Sequence, residues 1–485
     1  MKGLKRLKKL SIKTTMNTPE NPRNVFISFL GTNNYKEVKY QWSNDNSLSS
    51  PVRFIQEAIL ERIAKDWTDK DRIYIFYTKG DEEKGTKGSY EYNWVNDGHV
   101  NDKNKDTIKD IERIGLCERL DNLKERKGFK AIIKPVEVKE GFSEKDVWET
   151  FDVVYSQLQK GDKIHFDITH AFRSIPLFAS SLLNYAQYML DVEIVSINYG
   201  AFEKLGSAYL VEKMPMEERI APIVDMTNIV KLQKLTETAT SIKEFGRIKK
   251  VSENLSPDLP TNSGSAVDEI AKAIKELDEA IQTSNITKIK GGQIIKNFRD
   301  NLDSENIQRL KVAEIKILNK VDEELKDFTA DDNYKNVEAA IDWTIKHEML
   351  AQAATLAEEY TIYRSLDIVK KQGIPNPYVK VGQVENQKRI DKFRTYMGSI
   401  LGIPEDDRNN RNYKEPLNFY SEFADNIFEL DYIKEIRIAY KQLTKARNNI
   451  NHGNGKFTYD ELKQMIKQSY ENCLNIMHNY PLENQ

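Results

Sequence analysis

The chain has 485 residues, 39% hydrophobic and 31% charged, with a formal net charge of −2. That length exceeds one ordinary domain, so two or three domains are expected, each burying its own core. The near-neutral balance excludes nucleic-acid binding by the surface as a whole and leaves a local basic patch as the only route to RNA. Two cysteines, Cys117 and Cys473, stand without metal-ligand spacing, which excludes a cysteine-built zinc site and suits a reducing cytoplasm. No apolar run is long enough to cross a bilayer, so no membrane partner is expected. Residues 1–23 form a basic tail that lacks the long apolar core of a signal peptide.

From residue 24 onward strands and helices alternate. Residues 25–30 are an apolar run of strand length that ends at Gly31-Thr32-Asn33-Asn34. Residues 51–63 repeat apolar positions with helical spacing through Phe54, Ile55, Ala58 and Ile59. A second strand over 72–77 ends at Thr78-Lys79-Gly80, and a polar segment, 81–104, carries Trp94. Residues 130–138 predict a third strand, 147–158 a helix and 163–168 a fourth strand. A helix follows, with Leu177, Phe178, Leu182, Leu183 and Met189 as its apolar positions. Residues 192–198 predict a fifth strand and 208–211 an edge strand. This order predicts a doubly wound, Rossmann-like parallel sheet. No GxGxxG and no Walker motif follows the first strand, so a dinucleotide or P-loop site is disfavoured.

Beyond residue 222 the pattern turns helical, over 227–245, 266–281, 307–325, 337–366, 423–450 and 459–477. Loops are expected at 252–264 and 371–384, where Pro, Gly, Ser and Asn accumulate. No internal repeat is present. The fold class expected is therefore α/β followed by all-α, with domains over 24–222 and 223–485 and a helical insertion near 252–335.

Two constellations carry chemistry. The first is Asp167-Ile168-Thr169-His170-Ala171-Phe172-Arg173, which joins a strand to a helix start. Unpaired backbone N–H groups and the helix dipole both favour an anion there. Ligands of such sheets sit beyond the carboxyl ends of the strands. Gly31, Thr32, Asn33, Thr78, Thr169, His170, Ala171, Arg173, Tyr199 and Gly200 all fall at such ends. Thr169 is equally a good helix N-cap, so a phosphate cradle and a plain capped helix both remain open. The second constellation is Arg447-Asn448-Asn449-Ile450-Asn451-His452. Imidazole can move protons to and from a ribose hydroxyl, and guanidinium can stabilise charge on phosphorus oxygens. RNA transesterification suits the pair and needs no metal. On spacing alone a solvated helix end, stopped by Gly453 and Gly455, is the better explanation.

Together the two motifs resemble the CARF–HEPN ribonucleases of type III CRISPR systems, in the branch with an Asp-x-Thr-His-Gly motif; Ala171 stands where that branch has glycine. Phe29-Leu30-Gly31-Thr32 resembles the first strand and ligand loop, and the stretch from Ser196 to Glu203 a later strand end. Trp343 and the Leu350 to Glu359 stretch resemble a helix inside the HEPN domain. Arg447 to His452 falls where its R-x4-6-H motif belongs. The resemblance implies a sensor domain that binds a cyclic oligoadenylate, with cyclic tetra-adenylate expected first and hexa-adenylate second. It implies a helical domain that cuts single-stranded RNA with Arg447 and His452, aided by Asn448, in a homodimer or higher oligomer. No cofactor or metal is implied. Two alternatives accompany it: a non-catalytic sensor with a docking HEPN domain, and a sensor domain that also degrades its ligand.

Overall fold

The computed structural model describes residues 22–80, 85–95, 99, 114–170, 175–254, 266–305, 307, 312–380, 383–403, 421–452 and 456–482. The basic tail through residue 21, Ala171, Arg173, Gly453 and Gly455 lie outside them. The chain forms two compact units that divide between Val230 and Lys231.

The first unit is a seven-stranded sheet in the order β2-β7-β6-β5-β1-β3-β4. Its strands are β1 (Asn24–Phe29), β2 (Lys39–Trp42), β3 (Arg72–Tyr77), β4 (Ile132–Glu137), β5 (Lys163–Asp167), β6 (Glu193–Gly200) and β7 (Ile220–Asp225). All neighbours run parallel except β6 and β7. Helices cover both faces: α1 (Ile55–Ile63) and α2 (Leu116–Lys127) on one, α3 (Glu144–Tyr155) and α4 (Ile175–Leu190) on the other. Alternation along the strands decides which residues meet which helices. In β1, Phe26 joins the α1/α2 core while Val25, Ile27 and Phe29 join the α3/α4 core. Because both faces are covered, β1 and β3 read as nearly unbroken apolar runs.

The expected fold class is what forms, with local departures. Residues 208–211, expected as an edge strand, belong to a short helix, α5 (Ala208–Lys213). Four apolar residues satisfy either period; here only Val211 is buried, while Tyr209 and Leu210 face solvent as on one turn of helix. Met189 of α4 is exposed, and Ala186 takes the buried position. Strands β2 and β7 had no clear sequence signal: β2 is four residues long, and Pro222 interrupts β7. As β7 reaches Asp225, strand structure runs past position 222.

The second unit is all helix among the described residues. The expected helix over 337–366 is two, Lys335–Lys346 and Leu350–Lys371, separated at Glu348, whose φ of 61° no α-helix continues through. The expected helix over 423–450 is likewise two, Ser421–Phe428 and Asp431–His452. Between 252 and 335 stand Ala266–Gln282, Ile286–Lys290, Gln293–Leu302 and Val312–Glu324. Their apolar faces share one core with Ile341, Tyr360, Phe393, Tyr432 and Leu443.

One ion pair pins the entry to the sheet. Arg23 donates through Nε and Nη2 to Asp162 at 2.7 and 2.9 Å, and through Nη2 to the Gln157 carbonyl at 2.7 Å. Both side chains are nearly shut off from water. Removing one partner strands a buried charge. Asp162→Ala is expected to cost about 3 kcal/mol or more in urea unfolding; a cost below about 1 kcal/mol would show the clamp to be dispensable.

Candidate functional site

The parallel arrangement gathers the carboxyl ends of β1, β3, β4 and β5 at one edge. A cavity of about 240 Å³ opens there, lined by Phe29, Leu30, Gly31, Thr32, Asn33, Tyr35, Phe76, Thr78, Val138, Thr169 and His170. Thr32 and Asn33 form its exposed rim, and Thr78 is buried.

Asp167 organises this edge. Its buried carboxylate accepts from Ser28 Oγ at 2.7 Å and from the Thr169 backbone N–H at 3.0 Å. Gln56 of α1 donates to Ser28 Oγ at 2.9 Å. Among the described residues no cation faces Asp167, and burial pushes its carboxyl above the usual range. Thr169 is thereby turned toward β6, where its Oγ1 accepts the Gly200 N–H at 2.8 Å. Its own O–H is turned back to the Asp167 carboxylate, to which the Thr169 side chain is hydrogen-bonded as well. Gly200 is packed so closely that a Cβ would sit 1.8 Å from Ile55 Cδ1.

Gly31 answers to a second close approach. A Cβ there would fall 2.2 Å from the Tyr35 hydroxyl and 3.5 Å from His170 Cβ. Asn93 ties the loop down from outside, donating to the Gly31 carbonyl at 2.8 Å and the Asn33 carbonyl at 3.0 Å. Thr78 is held through Ser89, whose Oγ accepts the Thr78 N–H at 2.9 Å. Lys79 points elsewhere and pairs with Glu137 at 2.9 Å.

His170 stacks on Tyr35 with ring centroids 4.2 Å apart. Its Nε2 is cut off from water with no hydrogen-bond partner among the described residues. Burial pushes the imidazole down to about 3. Near neutral pH it is an uncharged ring beside the cavity, suited to base or ribose edges rather than to phosphate. Tyr199 is not brought to the cavity; its phenol donates to Glu203 Oε1. The structure thus gathers Gly31, Thr32, Asn33, Thr78, Thr169 and His170, with Gly200 one bond away. Sequence reading missed Tyr35 and Asn93, which touch the gathered residues, and Ser28 and Gln56, which support Asp167 behind them.

In the second unit, the Asp431–His452 helix buries Tyr432, Ile433, Ile436, Tyr440, Leu443 and Ala446. The fully buried face ends at Ala446, so the next turns can present polar groups. Arg447 donates through Nε to Glu358 Oε2 at 2.6 Å and through Nη2 to Glu358 Oε1 at 2.8 Å. Tyr440 donates to Glu358 Oε1 at 3.1 Å. The carboxylate holds the guanidinium above its ordinary value. The helix runs unbroken to His452, which is exposed. Asn449 bonds back to the Lys445 carbonyl at 2.7 Å, as a helix-end residue does. Asn448 lines a shallow groove of about 310 Å³ with Gly402, Lys441, Thr444, Lys445 and Asn449.

Residues 25–203 match the family model described as the CARF domain of CRISPR system endoribonuclease Csx1. The curated CRISPR-associated protein MJ1674 of Methanocaldococcus jannaschii is 26% identical over 275 residues. That match covers 51% of this chain and 40% of the relative, so the chain spans well under half of the relative's length. The solved structure of Enterococcus italicus Csm6 bound to cyclic hexa-2′-fluoro-hexa-dAMP aligns with 96% of each chain, at 12% identity and a TM-score of 0.41.

The histidine gives a signed expectation. Below about pH 6.5 the unfolded chain takes a proton at His170 that the folded chain refuses until about pH 3. Its contribution is full above pH 6.5 and is lost as pH falls toward 3. His170→Gln is expected to flatten the fall in unfolding free energy from urea titration between pH 6.5 and 4, by up to about 1.4 kcal/mol per pH unit. Tryptophan fluorescence reads this; an identical slope in the variant would refute it.

Proposed function

As the chain is a CARF-containing protein of type III CRISPR systems, we propose that it is a ribonuclease switched on by a cyclic oligoadenylate. The messenger binds at the sheet-end cavity. Support comes from the chemistry gathered there: an uncharged His170 ring whose Nε2 has no partner among the described residues, and the close packing around Gly31. Thr32 and Asn33 offer polar contacts at the rim, Thr78 lies deeper, and Ala171 and Arg173, outside the described residues, are further ligand residues of the motif, Arg173 for phosphate. A ring-shaped ligand suits two such edges facing one another in a homodimer, which higher oligomers could extend. Cyclic tetra-adenylate is the first expectation and hexa-adenylate the second.

The nuclease half rests on one observation: Arg447 is gripped at two points on an exposed helix end that runs unbroken to His452. In the reaction proposed, the ribose 2′-oxygen attacks the adjacent phosphorus and the bond to the 5′-oxygen breaks. The products carry a 2′,3′-cyclic phosphate and a 5′-hydroxyl. His452 moves a proton between these oxygens. Arg447 stabilises charge on the non-bridging oxygens, where preorganised donors are most effective. Asn448 orients the pair or the RNA. Two such motifs, one from each protomer, compose the site. Single-stranded RNA is the substrate, because a flexible strand can bring the 2′-oxygen in line with the bond to the 5′-oxygen, which the regular A-form backbone of a duplex resists.

Cleavage of labelled RNA with and without each cyclic oligoadenylate, in excess chelator, tests activator and chemistry together. His452→Ala is expected to lose about 100- to 10,000-fold in kcat while remaining folded; near-normal cleavage by the folded variant would overturn the assignment. Lys441 and Lys445, which form no ion pair among the described residues, line the groove beside Asn448 and suit the RNA backbone. Lys441→Ala with Lys445→Ala is expected to weaken RNA binding and to flatten the plot of log Kd against log salt by about 1.4, or about 0.7 for each phosphate that the lysines would neutralise. An unchanged salt slope would remove these lysines from the RNA path.

A further inference from the structure

We infer that Glu358 is a positioning residue for RNA cleavage, acting by fixing the plane of the Arg447 guanidinium; this rests on the cleavage reading above. Glu358 lies on the buried side of the Leu350–Lys371 helix, about two turns in from its start, and is 7% exposed. A carboxylate so placed must be paired. Its side-chain donors all come from the Asp431–His452 helix among the described residues: Arg447 Nε at 2.6 Å, Arg447 Nη2 at 2.8 Å and Tyr440 Oη at 3.1 Å. Tyr440 is itself buried, and its phenol is held in the protonated, donating form by burial beside this carboxylate.

The pairing is side-on, through Nε and one terminal nitrogen. It leaves the Nη1 edge of Arg447 without a partner among the described residues, and the side chain keeps 31% of its surface in solvent. An arginine held at two points has one plane and one remaining edge to offer. That geometry suits donation to a phosphoryl oxygen, where alignment counts for more than net charge. The neighbouring Glu359 serves a different cation, Arg394. Its case shows what a purely structural pair looks like here: an inter-helix tie that involves neither motif.

A tie between helices and a positioning contact differ in how substitutions combine. If Glu358 acts on the reaction only through Arg447, the two effects are not additive. Steady-state cleavage of single-stranded RNA by the full chain with its activating cyclic oligoadenylate provides the test. Glu358→Gln keeps the shape but turns an amide N–H₂ toward the guanidinium. It is expected to lower kcat on the order of 10- to 100-fold with KM changed less than about threefold. In an Arg447→Ala background the same change is expected to have no further effect on kcat. Wild-type kcat in folded Glu358→Gln, or reductions that multiply in the double variant, would overturn the proposal. Should Glu358→Gln fail to fold, Glu358→Asp keeps the charge and withdraws the carboxylate by one methylene. Reduced kcat at unchanged KM supports positioning there too, and wild-type kcat overturns it. If the wild-type chain cuts no RNA under any cyclic oligoadenylate, the nuclease reading itself falls. If wild type cuts, His452→Ala does not and Glu358→Gln does, only the role of Glu358 falls.

Discussion

The sheet edge depends on a single buried carboxylate. Asp167 sits at the end of β5, between the Ser28 hydroxyl of β1 and the Thr169 amide that follows it. Through Thr169 the network reaches the Gly200 amide at the end of β6. Three adjacent strands are thus locked at their carboxyl ends by three hydrogen bonds radiating from two residues. A buried carboxylate with no cation is costly and raises its own proton affinity. Such a group persists when its acceptor geometry is needed, and here it decides which way Thr169 turns. The cavity wall follows from that turn, because the Thr169 side chain is committed to the end of β6 and to Asp167 itself.

A comparable logic operates in the helical unit with opposite electrostatics. Glu358 is buried, but a guanidinium and a phenol meet it, so its charge is balanced where it stands. The two carboxylates share a function at different scales: each converts a flexible polar side chain into a directed one. Thr169 is fixed between Asp167 and the Gly200 amide, and Arg447 keeps one nitrogen edge. In both places the orienting group is shut away, while the oriented one retains contact with solvent.

How much of this could be read from the sequence follows from how local each cause is. The strand over 72–77 and the helix over 227–245 were legible to the residue, the strand because burial on both faces makes it one short apolar run. Thr169, His170, Arg447 and His452 stood out because their types cluster within a few positions, and the structure brings Thr169 and His170 to one cavity. Strand β7 was obscured by Pro222, and the break at Glu348 by the absence of any glycine or proline at that left-handed position. Glu358 was illegible for a further reason. It stands beside Glu359 in an alanine-rich helix, and nothing in one dimension distinguishes the acid that meets Arg447 from the one that meets Arg394. Residues that orient others are chosen by three-dimensional adjacency, and sequence spacing carries no trace of it.

A sensor that governs chemistry in another unit must also satisfy a thermodynamic condition. A ligand moves a conformational equilibrium only by its difference in affinity between the two states. Moving a population from about 1:99 to 99:1 requires about a 10,000-fold difference, or roughly 5.5 kcal/mol. The rigid contacts beneath the cavity cannot supply it, since Asp167, Ser28 and Gln56 are buried and bonded to one another whatever is bound. The difference must reside in groups at the cavity whose surroundings change on binding. Among the described residues of this edge, those are Thr32 and Asn33 at the rim and the half-buried Thr169 and His170. His170 has the most to gain. Its Nε2 is already desolvated without a partner, so a ligand that provides one recovers a hydrogen bond without a further desolvation cost on the protein side. A recognition site that holds one unsatisfied polar atom in reserve binds its ligand more tightly in whichever state aims that atom at it, and that is the property a switch requires.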